Sequence, residues 1–419
     1  MRLSKLAQGI ETSPIITLAA AINEKIQRGE RFFNLTIGDF NPHIFPIPEE
    51  LTEEVIKAYR DGHTNYPGAV GQPVLREAVS EFLKTYGQMN YPPENILIGS
   101  GGRPLIYATY KTIVNPGEKV IFPVPSWNND YYTYLTGAEP VILETEAENY
   151  FMPTAAAIEP HIQDAALISL CSPLNPTGTV LSQSDLSEIC DLVIRENRRR
   201  GSHQKPVYVF FDQIYWLLTH GETQHHTPVT VNPEMAEYTI FMDGMSKAFA
   251  GTGIRVGWAF APSDVLSKMR TIVAHMGAWA PKPEQIASGN YLKQTEVVEK
   301  FLNHFRKELQ KRLEGFYQGF VSLREKGHKV NAIAPQAAMY LTVQLDLVGA
   351  TTSDGTRLES NEAVHRYILD EAKIGLVPFS YFGASRESNW YRLSVGTCAL
   401  EEVSEILTNL ENALNKLQY

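Results

Sequence analysis

Between Asn95 and Ala261 the chain carries seven short β-prone runs separated by stretches of helical periodicity, and this alternation restricts the possible folds more than any other feature. The runs are Asn95–Gly99, Lys119–Pro123, Pro140–Leu143, Leu167–Cys171, Val207–Asp212, Tyr238–Asp243 and Val256–Ala261. Strands that alternate with helices pair through crossovers, which predicts a mostly parallel sheet with helices on both faces. Within Gln72–Tyr86 and Ser182–Arg199 apolar residues recur at three-to-four spacing, as a helix with one buried stripe requires. The Arg198–Arg200 run ending the second stretch reads as a solvated helix C-terminus. A longer helical pattern runs from Pro283 to Arg324. At 419 residues, 43% hydrophobic and 20% charged, the chain is too long for one core and apolar enough for two. The expected fold class is α/β: a large domain with a seven-stranded mostly parallel sheet sandwiched by helices, plus a smaller α+β domain built from N- and C-terminal parts. The expected boundaries are 1–45 for an N-terminal arm and part of the small domain, 46–290 for the large domain, and 291–419 for a bridging helix and the C-terminal small domain.

Open α/β sheets bind ligands beyond the C-terminal ends of their strands, so the residues just past each run are candidates for a site. Lys247, in DGMSKAFAGTGIRVG, follows the run Tyr238–Met242. With small Ser246 and Ala248 beside it, it can lose hydration and drop its pKa, as a Schiff-base lysine must; a phosphate-binding or salt-bridging lysine fits the same residues. The turn SPLNPTG (Ser172–Gly178) projects the Asn175 amide from a strand end. FFDQIY (Phe210–Tyr215) sets Asp212 at another, with the Tyr215 phenol three residues on; a helix N-cap is the other reading of Asp212. Arg392, in NWYRLSVG, is costly to bury without an anion, and a structural ion pair is its plainer explanation. NYPGAVGQPVLR (Asn65–Arg76) combines a Tyr66-Pro-Gly turn with a helix opening at Pro73.

With these five pieces in this order, the chain resembles the class I/II aminotransferases, pyridoxal-phosphate enzymes of the aspartate aminotransferase fold (fold type I). The resemblance runs from the Gly38 segment, IGDFNP, to Arg392, and its specificity lies in the combination. It implies that pyridoxal 5'-phosphate is the cofactor of the large domain, and that an amino group passes from an amino acid to a 2-oxo acid. It further implies that Lys247 forms the Schiff base and moves the substrate proton, and that Asp212 keeps the pyridine nitrogen protonated. Asn175 and Tyr215 would donate to the ring's phenolic oxygen. Arg392 would grip the substrate α-carboxylate, with Gly38 and Asn175 beside it. Ile98–Arg103 (IGSGGR) would turn backbone N–H groups onto the phosphate, Gly101 and Gly102 allowing close approach, with Arg255 and Ser246 as further donors. Trp127 stands where the family stacks an aromatic on the ring, plain core packing being its other reading. Tyr66 would reach the phosphate of a neighbouring subunit, implying a homodimer with shared active sites. KAFAGTGIRVG with Gly244 is closest to the bacterial aspartate/prephenate branch, and Arg103 would there meet a distal carboxylate, favouring aspartate or glutamate. Ala337 and Phe379 depart from the branch and add bulk expected near the substrate carboxylate, which leaves an aromatic or neutral donor open. A lyase or decarboxylase on the same cofactor residues, or a cofactor-binding sensor, are the other readings.

Other classes fit poorly. Dinucleotide fingerprints starting at Gly99 or Gly251 would need glycine where Pro104 and Val256 stand. His225–His226 has no third ligand at metal spacing and reads as a solvated loop, so no metal site is expected. A formal charge of −10 argues against nucleic acid, and no apolar stretch is long enough to span a membrane. Three cysteines, Cys171, Cys190 and Cys398, in apolar surroundings suit buried thiols in a reducing, cytoplasmic setting, and Pro14–Ile22 is a poor signal core.

Overall fold

The computed structural model describes residues 2–419; position 1, the first residue of the expected N-terminal segment, lies outside them. After a short strand β1 (Phe33–Asn34), the seven runs become β2 (Ile96–Gly99), β3 (Lys119–Val124), β4 (Glu139–Glu144), β5 (Ala165–Cys171), β6 (Tyr208–Asp212), β7 (Thr239–Gly244) and β8 (Gly257–Phe260). They form one sheet in the order β2-β8-β7-β6-β5-β3-β4. All neighbours run parallel except β8, which is antiparallel to β2 and β7. Every residue of β7 is buried, and all of β5 save Cys171. Covered on both faces, such strands read as continuous apolar runs instead of alternating ones.

Helix Gly102–Ile113 packs Leu105, Ala108 and Ile113 into the core on one face of the sheet. Helices Pro73–Gly87 and Gln183–Arg200 bury Leu75, Val79, Leu186 and Val193 in a second core on the other. The expected sandwich is thus present. The three strands that carry the candidate residues end in register, with Cys171 opposite Asp212 and Asp212 opposite Met242. That register sets the turns after β5, β6 and β7 side by side.

The single long helix expected over Pro283–Arg324 is two helices, Lys282–Leu292 and Thr295–Glu325. The first is buried on nearly all sides, including Gln285, Ser288 and Tyr291. The second buries one stripe, Val298, Leu302, Phe305, Leu309, Leu313 and Phe316. Because the two bury different faces, the chain turns at Lys293–Gln294 between them.

The remaining strands are β9 (Val330–Ala332), β10 (Tyr340–Leu345), β11 (Ile374–Gly375), β12 (Val377–Pro378) and β13 (Trp390–Ser394). Four of them make an antiparallel sheet, β12-β13-β10-β9, while β11 pairs with β1 in parallel, Phe33 opposite Ile374. That pairing builds the smaller α+β part from both ends of the chain.

Two surface readings need correction. Arg200 is not solvated: it is buried, its guanidinium bonded to Glu196 and to the carbonyls of Ile162, Ala165 and Lys205. Those chain-crossing carbonyls need donors, and the last turn of the helix supplies one. His225 is not in a solvated loop either, since its ring packs against Phe211 and Trp216 with neither nitrogen bonded. Burial, with His226 next in line, pushes it down to about 3, so it is neutral.

Candidate active site

The ends of β5, β6 and β7 open onto a cleft of about 290 Å³ closed from the other side by β13 and the Gly38 segment. Lys247 sits on a single helical turn, Met245–Ala248, where a loop was expected. Gly244, at the N-cap of that turn, packs closely against β8: a Cβ there would meet Gly257 Cα and the Val256 carbonyl at 2.8 Å. The Lys247 Nζ donates to the Gly38 carbonyl at 2.6 Å and lies 5.8 Å from the centre of the Tyr215 ring. Burial pushes this amine down from the usual lysine range to about 8; Asp39 and Asp212 oppose the shift, and Arg392 and Arg103 add to it.

Asp212 also lines the cleft, and among the described residues its carboxylate accepts one hydrogen bond, from the Ile214 N–H, 3.0 Å from Oδ1. It is therefore not the cap of a regular helix. Burial pushes its carboxyl up to about 7, against the Ile214 N–H and the charge of Lys247. Tyr215 places its hydroxyl 2.7 Å from that of Tyr340, and burial holds it well above the usual phenol range. Asn175 accepts from Arg392 Nη1 at 2.8 Å through its carbonyl, which turns its amide donors toward the cleft.

Arg392 is fully buried and has no carboxylate partner among the described residues, so the ion-pair reading fails. Its other bond goes to the Thr36 carbonyl, its Nε is unpaired, and the guanidinium lies between the rings of Tyr340 and Phe382 at 4.7 and 4.9 Å. Its own contacts are rings and carbonyls and include no carboxylate, which leaves the guanidinium's positive charge for a ligand.

At the other end, helix Gly102–Ile113 opens on the cleft with the N–H groups of Gly102 and Arg103 unspent by the helix ladder. Gly101, at φ +78°, adopts a left-handed conformation, and a Cβ there would strike the Arg255 guanidinium at 2.4 Å. Arg255 is held over it by bonds to the carbonyls of Thr252 and Ser100. Ser246 lines the same end, as do Trp127 and Arg103, whose guanidinium lies 4.7 Å over the indole. Arg103 is otherwise exposed.

Tyr66 is not brought to this cleft. It is 84% exposed, stands edge-on to Trp279, and borders a separate open hollow with Asn65 and Lys282. Phe379 and Ala337 do not line the cleft either, contrary to the expectation that their bulk reshapes it. Phe379 is buried against Phe151 and Phe382, and Ala337 bonds through its N–H to the Gly178 carbonyl. Two participants carry no motif of their own. Asp39 holds the Thr252 hydroxyl at 2.7 Å, and its place beside Gly38 in IGDFNP was the available signal. Tyr340 reaches Arg392 across the β10–β13 pairing, which no local pattern announces.

Residues 30–410 match the model of the family described as aminotransferase class I and II. Among similar proteins, an aspartate aminotransferase of Bacillus sp. (strain YM-2) is 27% identical over 90% of this chain and 92% of its own. A putative aminotransferase of Bacillus subtilis is 33% identical over 87% of this chain and 88% of its own. Among solved structures, the aspartate aminotransferase of Thermus thermophilus with maleate superposes with a TM-score of 0.87 at 25% identity, over 99% of this chain and all of that one. That of Rhizobium meliloti gives 0.91 at 23% identity over the whole of both chains and shows the shared fold. The matched span takes in the candidate site residues from Gly38 to Arg392, and on that ground the chain belongs to the class I and II aminotransferases and is a transaminase.

Proposed function

We propose that this transaminase uses pyridoxal 5'-phosphate bound in the cleft and takes a dicarboxylic amino donor, aspartate or glutamate, in first place. The observation that carries the cofactor reading is the half-buried Asp212 carboxyl, which faces the cleft with a single N–H donor and, among the described residues, no cationic side chain bonded to it. A protonated pyridine nitrogen satisfies such a group, and the N–H groups at Gly102 and Arg103 with Arg255 and Ser246 suit a phosphate at the far end. The donor set therefore fits the cofactor. When bound, pyridoxal phosphate supplies the electron sink for a carbanion at the substrate Cα.

The remaining work falls to the chain. Lys247, whose amine burial pushes down to about 8 in the cofactor-free protein, would hold the cofactor through its aldehyde carbon and, when its amine is free, would move the proton at the substrate Cα. Arg392 grips the α-carboxylate with a guanidinium whose charge nothing else neutralises, while Gly38 leaves room beside it: a Cβ there would meet the Tyr340 hydroxyl at 2.8 Å. Asn175 and Tyr215 would donate to the cofactor's phenolic oxygen, Tyr340 being free to donate in turn to Tyr215. Trp127 would cover the cofactor ring, and its indole holds Arg103, which would meet a second substrate carboxylate. Relatives named aspartate aminotransferase and, in Petunia hybrida, a bifunctional aspartate and glutamate/aspartate-prephenate aminotransferase support that preference.

Tyr66 supports a homodimer, because an exposed phenol outside its own cleft suits contact with the phosphate end of a partner's site. The division at 45 and 290 is proposed on the β1–β11 pairing and on the turn at Lys293–Gln294. Three free thiols support a cytoplasmic setting; among the described residues no helix is long and apolar enough to cross a membrane. A panel of amino donors and 2-oxo acceptors with the purified protein tests the reading. Fastest turnover with aspartate or glutamate is expected, and release of ammonia or carbon dioxide without a new amino acid would replace it by a lyase or decarboxylase.

A further inference from the structure

Asp243 is 1% exposed and no cation touches it. A carboxyl in such a place is costly unless N–H groups hold it. One oxygen accepts the N–H of Gly244 at 2.7 Å, and the other accepts the indole N–H of Trp216 at 2.8 Å. Trp216 is itself 5% exposed, edge-on to Phe82. A second indole, Trp258, faces Asp243 from β8 with its N–H unpaired. Burial, with the Asp212 charge nearby, pushes the Asp243 carboxyl up, and the N–H groups of Gly244 and Trp216 oppose that shift.

The two ends of the Asp243–Trp216 bond belong to the two turns that carry the proposed chemistry. Trp216 directly follows Tyr215 in the turn that begins at Asp212, and Asp243 leads into the turn of Lys247. Among the described residues this is the one side-chain hydrogen bond recorded between those turns; the Gln213 N–H to the Met242 carbonyl is the backbone one. On its other side the lysine turn is pinned to β8 by the bond from Met245 N to the Val256 carbonyl.

We infer that Asp243 is a positioning residue: held between Trp216 and Gly244, it fixes Lys247 relative to Asp212 and Tyr215. The inference deepens the proposed function and rests on it for the roles of those three side chains. Asp243→Asn turns one acceptor into a donor that faces an N–H, and Trp216→Phe removes the donor while keeping a ring in place. Each holoenzyme variant is expected to lower kcat by about tenfold to a hundredfold, with KM for the amino donor and cofactor content little changed. The double variant is expected to be no slower than Asp243→Asn, since both changes break one bond.

In the cofactor-free protein, the pH at which an amine reagent half-labels Lys247 should rise toward the ordinary lysine range in both single variants. A merely structural bond would lower the melting temperature and leave that profile in place. Unchanged kcat in both variants, losses that multiply in the double variant, or an unmoved Lys247 profile would overturn the inference. If the unmutated protein does not transaminate, the proposed function falls, and the labelling profile still decides whether Asp243 positions Lys247.

Discussion

Two side chains carry most of the proposed chemistry, and their environments push them in opposite directions. Burial lowers Lys247 to about 8 and raises Asp212 to about 7, so near neutral pH each is close to its own titration. In the cofactor-free protein an amine reagent should therefore label Lys247 half-maximally near pH 8; a midpoint in the ordinary lysine range would show the amine to be hydrated. The stability consequence has a definite sign. The folded pKa lies below the ordinary 10.5, so between about 8 and 10.5 the unfolded chain holds a proton that the folded chain lacks, and this group's contribution improves as pH rises through that window. Below it, the buried charge is a full liability. Lys247→Met should accordingly raise the melting temperature of the cofactor-free protein at pH 7 by a few degrees, a gain that shrinks as pH rises from about 8 to 10.5. Asp212→Asn should keep bound cofactor yet slow transamination at least about a hundredfold, because an amide cannot hold a proton on the ring nitrogen by charge. A half-reaction near the unmutated rate would remove Asp212 from the mechanism. Arg103→Met should raise KM for aspartate about tenfold more than for phenylalanine. Equal changes for both donors would place the reading of the second carboxylate elsewhere.

At the scale of elements, the residues singled out at strand ends meet because β5, β6 and β7 stop in register at Cys171, Asp212 and Met242. The seven strands were legible because buried parallel strands are continuous apolar runs punctuated by turns. What the sequence left illegible was set by contacts between distant elements. Local periodicity alone does not divide Pro283–Arg324, since the break reflects which neighbour each half buries against. Gly289 marks this closeness: a Cβ there would lie 2.9 Å from Leu75 N, the backbone of the facing helix. Gly289→Ala should destabilise the fold by about 1–3 kcal/mol, read from chemical denaturation, because neither backbone can yield cheaply. An unchanged midpoint would mean that the two helices slide. The burial of Arg200 and His225, and the packing of Phe379 away from the cleft, were hidden for the same reason: charge or bulk in a sequence does not tell which way a side chain faces.

At the scale of the molecule, the cleft draws on two parts of the chain: Asp212 ends and Lys247 follows a strand of the seven-stranded sheet, and Arg392 with Gly38 come from the part built by both chain ends. Tyr66 points outward from this arrangement, and the proposed homodimer can be tested by mixing Tyr66→Phe with Lys247→Ala chains. Hybrid dimers would gather both lesions in one site and leave the other intact, so activity should exceed the mean of the two parents. Activity no higher than that mean would confine each site to one chain. The account's central claim is that amino-group transfer runs through pyridoxal phosphate bonded to Lys247, and one measurement reaches it most directly: borohydride reduction of the purified protein followed by peptide mapping. A reduced pyridoxyl group on Lys247 alone, absent in Lys247→Ala, is the predicted result; the group on another lysine, or on none, would contradict it.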